Sequence, residues 1–135
     1  VLRAEFNEVP MVRFPRKYME SIFSNLISNA LKYKHPERPP VIEIQTRKSE
    51  NGILLSVADN GLGIDLERHS ANLFKIRKTF HRHVDAKGLG LFMTKTQVEA
   101  MGGKIWAEST PGIGSVFFVE INDKENEKHQ KPYPN

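Results

Sequence analysis

The chain has 135 residues, a formal net charge of +4, 39% hydrophobic residues and 27% charged residues. This size and composition suit one globular domain with its own core, and they exclude a wholly disordered chain. The sequence contains no cysteine, which excludes disulfide bonds and thiolate metal sites. No apolar run reaches the roughly 20 residues that a membrane-spanning helix needs, and no signal peptide is recognisable. Because the chain starts at Val1, we expect it to be part of a longer protein that can carry a membrane anchor elsewhere.

The positive charge is concentrated in one segment, residues 75–87, where only Asp85 opposes it. The basic residues and histidines of this segment are Lys75, Arg77, Lys78, His81, Arg82, His83 and Lys87. Such a segment fits a small ligand that carries phosphate as well as it fits a nucleic acid. The sequence shows neither a recognition helix nor the aromatic pattern of a base-stacking sheet, so we expect no nucleic-acid binding.

The first 34 residues predict an edge strand followed by a long helix. Residues 1–6 and 9–14 are two short apolar stretches, and the second, which alternates from Val12 onward, predicts a short edge strand with Pro10 at its start. The helix is predicted to begin at Pro15 or Arg16 and to end by Pro36, because proline disfavours helix at the residue before it. Its apolar arc comprises Met19, Ile22, Phe23, Leu26, Ala30 and Tyr33.

Three polar residues, Asn25, Asn29 and Lys32, lie together at the edge of that apolar arc. An asparagine oxygen can ligate Mg²⁺, which prefers oxygen ligands and usually keeps water and substrate phosphates in its coordination shell. A nearby lysine can meet the charge of those phosphates. The alternative is an ordinary helix whose asparagines are solvated, although asparagine is a mediocre helix former.

A hairpin and a glycine-containing turn follow the proline-rich loop at residues 35–40. Residues 41–47 and 53–59 predict two strands joined by the turn signal Asn51-Gly52. The residues expected on one face of the second strand are Ile53, Leu55 and Val57. Asp59 ends that strand, where its carboxylate can accept a hydrogen bond from an exocyclic amine. The two glycines that follow within residues 60–64 can let a ligand approach the backbone, or they can form a plain turn.

The second half of the chain predicts two more helices and two more strands. Residues 66–74 can form a short helix, and the polar, basic residues 75–87, which show no clear period, are predicted to form a mobile loop. Residues 88–91, Gly-Leu-Gly-Leu, open an amphipathic helix, and a helix start of this kind is an anion site. The candidate core contacts of this helix, which ends at Gly102-Gly103, are Leu91, Met93, Thr94, Val98 and Met101. The remaining predicted segments are a strand at 104–108, a turn at 109–114, a strand at 115–121 and a disordered tail at 122–135.

The order of these motifs is more specific than any one of them. It resembles the ATP-binding catalytic domain of sensor histidine kinases (HATPase_c), within the GHKL ATPase superfamily, over about residues 6–121. The resemblance assigns the N box to residues 25–33, the first glycine box to 59–63 and the F box to 73–80. It assigns the second glycine box to residues 88–91 and the closing motif to 112–117. The resemblance implies an α/β (α+β) two-layer sandwich of the Bergerat type, with a mixed sheet packed on one face by about three helices. We therefore assign residues 1–121 to this domain.

On the helix side of the implied site, Asn29 would ligate Mg²⁺, and Asn25 and Lys32 would lie beside the ATP phosphates. Together with Asn25 and Lys32, a lid arginine completes the implied catalytic set. Both Arg77 and Arg82 fit that role, and the resemblance does not choose between them.

On the base side, Asp59 would accept the adenine amino group and Gly63 would approach the ring. Tyr33 would lie against the nucleoside. Ser115 stands where the family usually has threonine, and either hydroxyl can support Asp59 directly or through water. The second glycine box would direct helix N–H groups at the phosphates. The other residues of the implied nucleotide site are Gly61, Ile64, Lys87, Gly88, Leu89, Gly90 and Leu91.

Three departures from the family pattern affect the expected chemistry. The second glycine box usually opens with another glycine, where this chain has Ala86, so we expect a stiffer hinge. The segment at 80–88 is short, which implies a compact lid. Related gyrase-type and chaperone-type ATPases carry a water-activating glutamate at the position of Asn25, so we expect slow hydrolysis here. Glu20 lies about half a turn out of phase and should point to the other side of the helix.

None of the five histidines is followed by Glu or Asp, as the family's acceptor histidine is. The resemblance therefore implies that the γ-phosphoryl group of ATP goes to a histidine on a separate dimerisation domain of the parent protein. Relay to an aspartate of a response regulator receiver domain would follow. The implied cofactors are ATP and Mg²⁺, and the implied location is the cytoplasm, with no direct membrane contact by this chain. Two alternatives stay open: a non-catalytic nucleotide sensor and a GHKL-type ATPase that acts as a conformational clamp.

Overall fold

The computed structural model describes residues 1–6, 16–50, 52–69, 73–74 and 90–122. The helices in this part of the chain are α1 (Arg16–Lys32), α2 (Leu66–His69) and α3 (Gly90–Ala100). The strands are β1 (Leu2–Glu5), β2 (Ile42–Ser49), β3 (Gly52–Asp59), β4 (Lys104–Thr110) and β5 (Gly114–Asn122). None of these three helices is both long and apolar enough to cross a lipid bilayer.

The strands form one mixed sheet in the order β1-β2-β3-β5-β4. β1 pairs with β2 in parallel, and every other neighbouring pair is antiparallel. The register of β3 against β5 sets Asp59 opposite Ser115, so the end of β3 lies beside the start of β5. The helices pack on one face of this sheet, which confirms the predicted two-layer α/β sandwich.

The hydrophobic core lies between the helices and that face of the sheet. Side chains alternate between the two faces of a strand, and every second residue of β3 and β5 is buried. On the helices, residues three and four apart share a face, and the apolar positions of α1 and α3 point at the strands. The buried core residues are Ile22, Leu26, Ala30, Ile42, Ile44, Ile53, Leu55, Val57, Leu73, Val98, Met101, Phe117, Val119 and Ile121.

Most elements predicted from the sequence are confirmed within one to three residues at their ends. α1 begins at Arg16 and ends before the proline that was expected to stop it. The predicted hairpin is present, with Ser49 paired to Gly52 across the antiparallel strands. Gly102 has φ +77° and follows α3, as expected for a helix C-terminus. The predicted strand at 9–14, the basic loop at 75–87, Asn51 and the tail beyond Asn122 lie outside the described residues.

Two expectations were wrong, and one strand was not predicted. The strand that was not predicted is β1, which forms one edge of the sheet (β4 forms the other) and which the sequence marked only as an apolar stretch. All four residues of β1 are exposed, so burial imposes no alternation that a sequence pattern could show. Met93 was expected in the core but is 46% exposed, because the buried face of α3 passes through Thr94 and Val98.

The short helix predicted over residues 66–74 ends at His69 among the described residues, and Leu73 and Phe74 form a turn. Tertiary contacts fix this pair. Leu73 is buried in the core, and the ring of Phe74 packs edge-on against Phe117 with the ring centroids 6.3 Å apart. Helical spacing from residue 66 therefore did not predict where these two side chains would lie.

Candidate functional site

One open cavity of about 380 Å³, counting the space at its mouth, lies where the ends of several elements meet. Its lining residues are Asn29, Tyr33, Asp59, Gly63, Ile64, Leu73, Leu91 and Ser115. All of them except Leu73 belong to the set of site residues predicted from the sequence. Segments that are far apart in the chain, from α1, β3, β5 and α3, are therefore brought together around one space.

The α1 wall of this cavity is formed by Asn29, which lies in α1, and by Tyr33, which directly follows the last residue of that helix and donates its N–H to the Asn29 carbonyl at 3.2 Å. Both side chains are half-buried, at the edge of the face that buries Leu26 and Ala30. Asn25 is half-buried one turn earlier, and Lys32 is exposed at the end of the helix. Neither of these two residues lines the cavity.

Asp59 lies at the carboxyl end of β3, and the sheet fixes its position through pairing on both sides. The backbone N–H of Gly61 donates to Asp59 Oδ1 at 2.9 Å. Burial raises the pKa of the Asp59 carboxyl above its ordinary value, and the backbone N–H groups of Gly61 and Ser115 partly oppose this shift. The site therefore holds a desolvated carboxyl group in a fixed orientation.

The turn after β3 packs against two other backbone segments, which explains its two glycines. A Cβ on Gly61 would lie 2.5 Å from the carbonyl oxygen of Tyr33, and Leu62 N–H donates to that oxygen at 2.8 Å. Gly63 has φ +75°, and a Cβ there would lie 2.1 Å from the carbonyl oxygen of Thr110. Gly61 is buried behind the cavity, whereas Gly63 lines it. Backbone packing therefore requires both glycines before any ligand is considered.

Ser115 belongs to a small hydroxyl network that the sequence analysis missed. Ser109 Oγ accepts from Ile64 N–H at 2.7 Å, donates to the Gly114 carbonyl at 2.9 Å and lies 2.7 Å from Ser115 Oγ. Either serine hydroxyl can be the donor in this pair. The support of Asp59 by the Ser115 hydroxyl, directly or through water, stays a prediction.

The apolar side of the cavity comes from Ile64, Leu73 and Leu91. Leu73 was assigned to the F box but was given no role in the site, although its place in an apolar pair was a usable signal. Ser109 could have been found by pairing the two strands across their predicted turn. A cavity with an apolar wall and a few fixed polar groups suits a flat ring that carries a hydrogen-bond donor.

The start of α3 borders the same cavity, because Gly90 is its first residue and Leu91 lines the space. The N-terminal N–H groups of a helix lack intrahelical partners and favour anions. The other predicted residues of this region, Arg77, Arg82, Lys87, Gly88 and Leu89, lie outside the described residues.

The family model that matches this chain is described as "Histidine kinase-, DNA gyrase B-, and HSP90-like ATPase" and covers residues 16–125. The chain belongs to this family. It is 34% identical over 119 residues to the phytochrome-like protein Cph1 of Synechocystis, covering 87% of this chain and 16% of Cph1. It is 32% identical over 120 residues to the sensor histidine kinase WalK of Bacillus subtilis, covering 87% of this chain and 20% of WalK.

Solved structures give the same result for the fold. The nucleotide-free catalytic domain of the histidine kinase ThkA superposes with a TM-score of 0.73 at 27% identity, covering 90% of this chain and 77% of that one. The chain spans about a fifth or less of the curated relatives named above. Its similarity is thus to the catalytic domain of sensor histidine kinases, and those relatives contain much more than this domain.

Proposed function

We propose that this chain is the ATP-binding catalytic domain of a two-component sensor histidine kinase. The observation that carries the proposal is that Asn29, Asp59 and Leu91, from three distant segments, line one cavity. The family match and the similarity to sensor kinases support the same assignment. The parent protein would supply a dimerisation domain with the acceptor histidine, and a response regulator would receive the phosphoryl group in the cytoplasm.

Asp59 is proposed to recognise adenine. A carboxylate accepts hydrogen bonds and donates none, so it pairs with the amino group of adenine and not with the carbonyl oxygen that guanine carries in its place. Its carboxyl is held by a backbone N–H, which leaves little freedom to adapt to another base. Ile64, Leu73 and Leu91 offer an apolar surface to the ring, and Tyr33 closes the α1 side.

Asn29 is proposed to hold Mg²⁺ through its side-chain oxygen. Among the described residues, no group of three or more His, Cys, Asp or Glu side chains could hold a metal ion. The metal would therefore take most of its ligands from phosphate oxygens and water, which is the usual coordination of Mg²⁺ at nucleotide sites. When bound, it would neutralise phosphate charge, while Asn25, Lys32 and an arginine of residues 77–82 would orient the triphosphate.

Phosphoryl transfer needs an acceptor, and the proposed acceptor is a neutral imidazole of the partner domain. Its nitrogen forms a bond to the γ-phosphorus as the bond to the β,γ-bridging oxygen breaks, and ADP leaves. Because the nucleophile is itself the acceptor, the site must supply positioning and charge neutralisation, with no base for water. Asn25, at the position where water-activating relatives have a glutamate, supports transfer over hydrolysis.

The test is transfer of radiolabelled γ-phosphate to a supplied dimerisation domain of a sensor kinase, run beside a variant of that domain whose acceptor histidine is replaced by alanine. We expect label on the intact acceptor only, and little release of free phosphate. ATP binding without transfer would favour the nucleotide sensor. Steady hydrolysis by the chain alone would favour the ATPase clamp.

A further inference from the structure

Arg38, in the loop between α1 and β2, makes an unusual set of contacts with backbone carbonyl groups. Its Nε donates to the Asn60 carbonyl at 2.8 Å. Its Nη2 lies 3.2 Å from the Gly61 carbonyl oxygen, 2.7 Å from that of Gly112 and 3.1 Å from that of Ile113. One side chain thus joins the turn after β3 to the turn between β4 and β5.

These two turns form the base side of the candidate site. The turn after β3 runs from Asp59 to Ile64, and it is also tied to the second turn by the hydrogen bond from Gly112 N–H to the Leu62 carbonyl at 2.6 Å. The side chain of Asn60 binds back to the loop that carries Arg38. Its Oδ1 accepts from Val41 N–H at 2.8 Å, and its Nδ2 donates to the Pro39 carbonyl at 3.1 Å. The two loops therefore hold each other reciprocally.

The geometry suits arginine specifically. A guanidinium is planar and carries five N–H donors in a fixed fork, so it can serve several carbonyl groups at once. A lysine ammonium is a single point with three donors on a flexible stem. Arg38 does not line the cavity, so its effect on a ligand would pass through the turn that it holds.

We infer that Arg38 is a positioning residue for base recognition, which fixes the turn after β3 so that Asp59 meets the adenine amino group. This inference rests on the proposed function. A purely structural role would differ in one respect: loss of Arg38 would lower the stability of the fold but leave the ligand preference of the folded protein unchanged.

The test measures binding of two probes, ATP and purine riboside triphosphate, which lacks the 6-amino group. In Arg38→Met we expect ATP affinity to fall about tenfold, the size of one lost hydrogen bond between the adenine amino group and a misaligned Asp59 carboxylate. The preference for ATP over the purine analogue should also fall, since Asp59 is then poorly aligned. Arg47→Met is the matched control, because Arg47 is exposed on β2, binds Gln45 and does not line the cavity. Arg47→Met should keep the wild-type affinity for ATP and the wild-type preference for ATP over the purine analogue.

Thermal unfolding gives the transition temperature of each variant. Binding is measured below that temperature, where the variant is folded. Unchanged affinity and unchanged preference in folded Arg38→Met would overturn the inference while leaving the proposed function intact. If Arg38→Met does not fold, Arg38→Lys is measured instead. We expect smaller losses of ATP affinity and of the preference for ATP in this variant. Wild-type affinity and preference in Arg38→Lys would also overturn the inference. Failure of the wild type to bind ATP would remove the proposed function and this inference with it.

Discussion

The two sides of the candidate site are built in different ways. On the base side, backbone hydrogen bonds, the Ser109 hydroxyl and the Arg38 guanidinium hold the turns around Asp59. On the helix side, Asn25, Asn29 and Lys32 are side chains projecting from α1, and the helix sets their spacing. The base side is thus formed before a ligand arrives, whereas the helix side can be completed by the phosphates and metal that it would bind.

This difference predicts how each side responds to substitution. Changes to the residues that pack the base-side turns together, such as Gly63 and Ser109, should disturb the fold itself. Changes on the helix side should leave the fold nearly intact and affect the chemistry of the phosphates. The following predictions test this division.

Gly63→Ala should destabilise the fold strongly. Gly63 has φ +75°, and the added Cβ would lie 2.1 Å from the Thr110 carbonyl oxygen, so both conformation and space oppose it. We expect the free energy of unfolding to fall by about 3 kcal/mol or more, as for strain combined with overpacking. Urea denaturation measures the change.

Gly112→Ala is the control for this effect. Gly112 has φ +82°, but a Cβ there would meet nothing within 4 Å, so only the conformational cost applies. A loss of roughly 1 kcal/mol is expected. Equal losses in the two variants would show that the contact with Thr110 does not matter.

Asn29→Ala should affect activity far more than stability. Removing a metal ligand is expected to lower phosphoryl transfer by roughly 100-fold or more, since even groups that only orient metal ligands are worth 10–100-fold. Ser28→Ala, one residue away and exposed on α1, is the matched control and should keep full transfer. The measurement is the initial rate of acceptor labelling; a wild-type rate in Asn29→Ala argues against the metal role.

Ser109→Ala should have a moderate effect on stability. The substitution leaves Ile64 N–H, the Gly114 carbonyl and the Ser115 hydroxyl without their shared partner. We expect a loss of about 1–3 kcal/mol in the free energy of unfolding, the cost of unpaired buried polar groups. Thr96→Ala, which removes a hydroxyl exposed on α3, should change stability little. If both variants unfold alike, the hydroxyl network is not a structural element of the base side.

Asp59→Asn should slightly stabilise the chain in the absence of nucleotide. Because burial raises the pKa of Asp59 in the folded state, the unfolded state loses its proton first as the pH rises. Stability is therefore lost as the pH rises from the unfolded pKa through the folded pKa, and the amide avoids this cost. The advantage of the variant should be present near neutral pH and vanish on acidification.

Glu108→Gln, which replaces an exposed carboxylate on β4, controls for the loss of one negative charge. Denaturant unfolding at a series of pH values compares the three proteins. If Asp59→Asn is less stable than the wild type at neutral pH, the hydrogen bonds to the carboxylate stabilise the fold by more than desolvation of the carboxylate costs.

Much of the fold could be predicted from periodicity, because α1, β2, β3 and β5 each bury one face and so carry a regular apolar pattern. All the residues that line the cavity except Leu73 could be predicted from the order of the motifs. Sequence could not predict β1, which has no buried face, or Met93, which lies one position from the buried stripe of α3. It also missed Arg38, because the acceptors of Arg38 are backbone carbonyls, which every residue has and no pattern marks.

The central claim is that base recognition and metal-phosphate binding are separate functions of the two sides of one cavity. Titration of the wild type, Asp59→Asn and Asn29→Ala with a non-hydrolysable ATP analogue and its GTP counterpart, with and without Mg²⁺, tests it most directly. The account predicts that Asp59→Asn loses the preference for adenine but keeps the effect of Mg²⁺, and that Asn29→Ala does the reverse. Equal affinity of the wild type for both nucleotides, or loss of both properties in either folded variant, would contradict it.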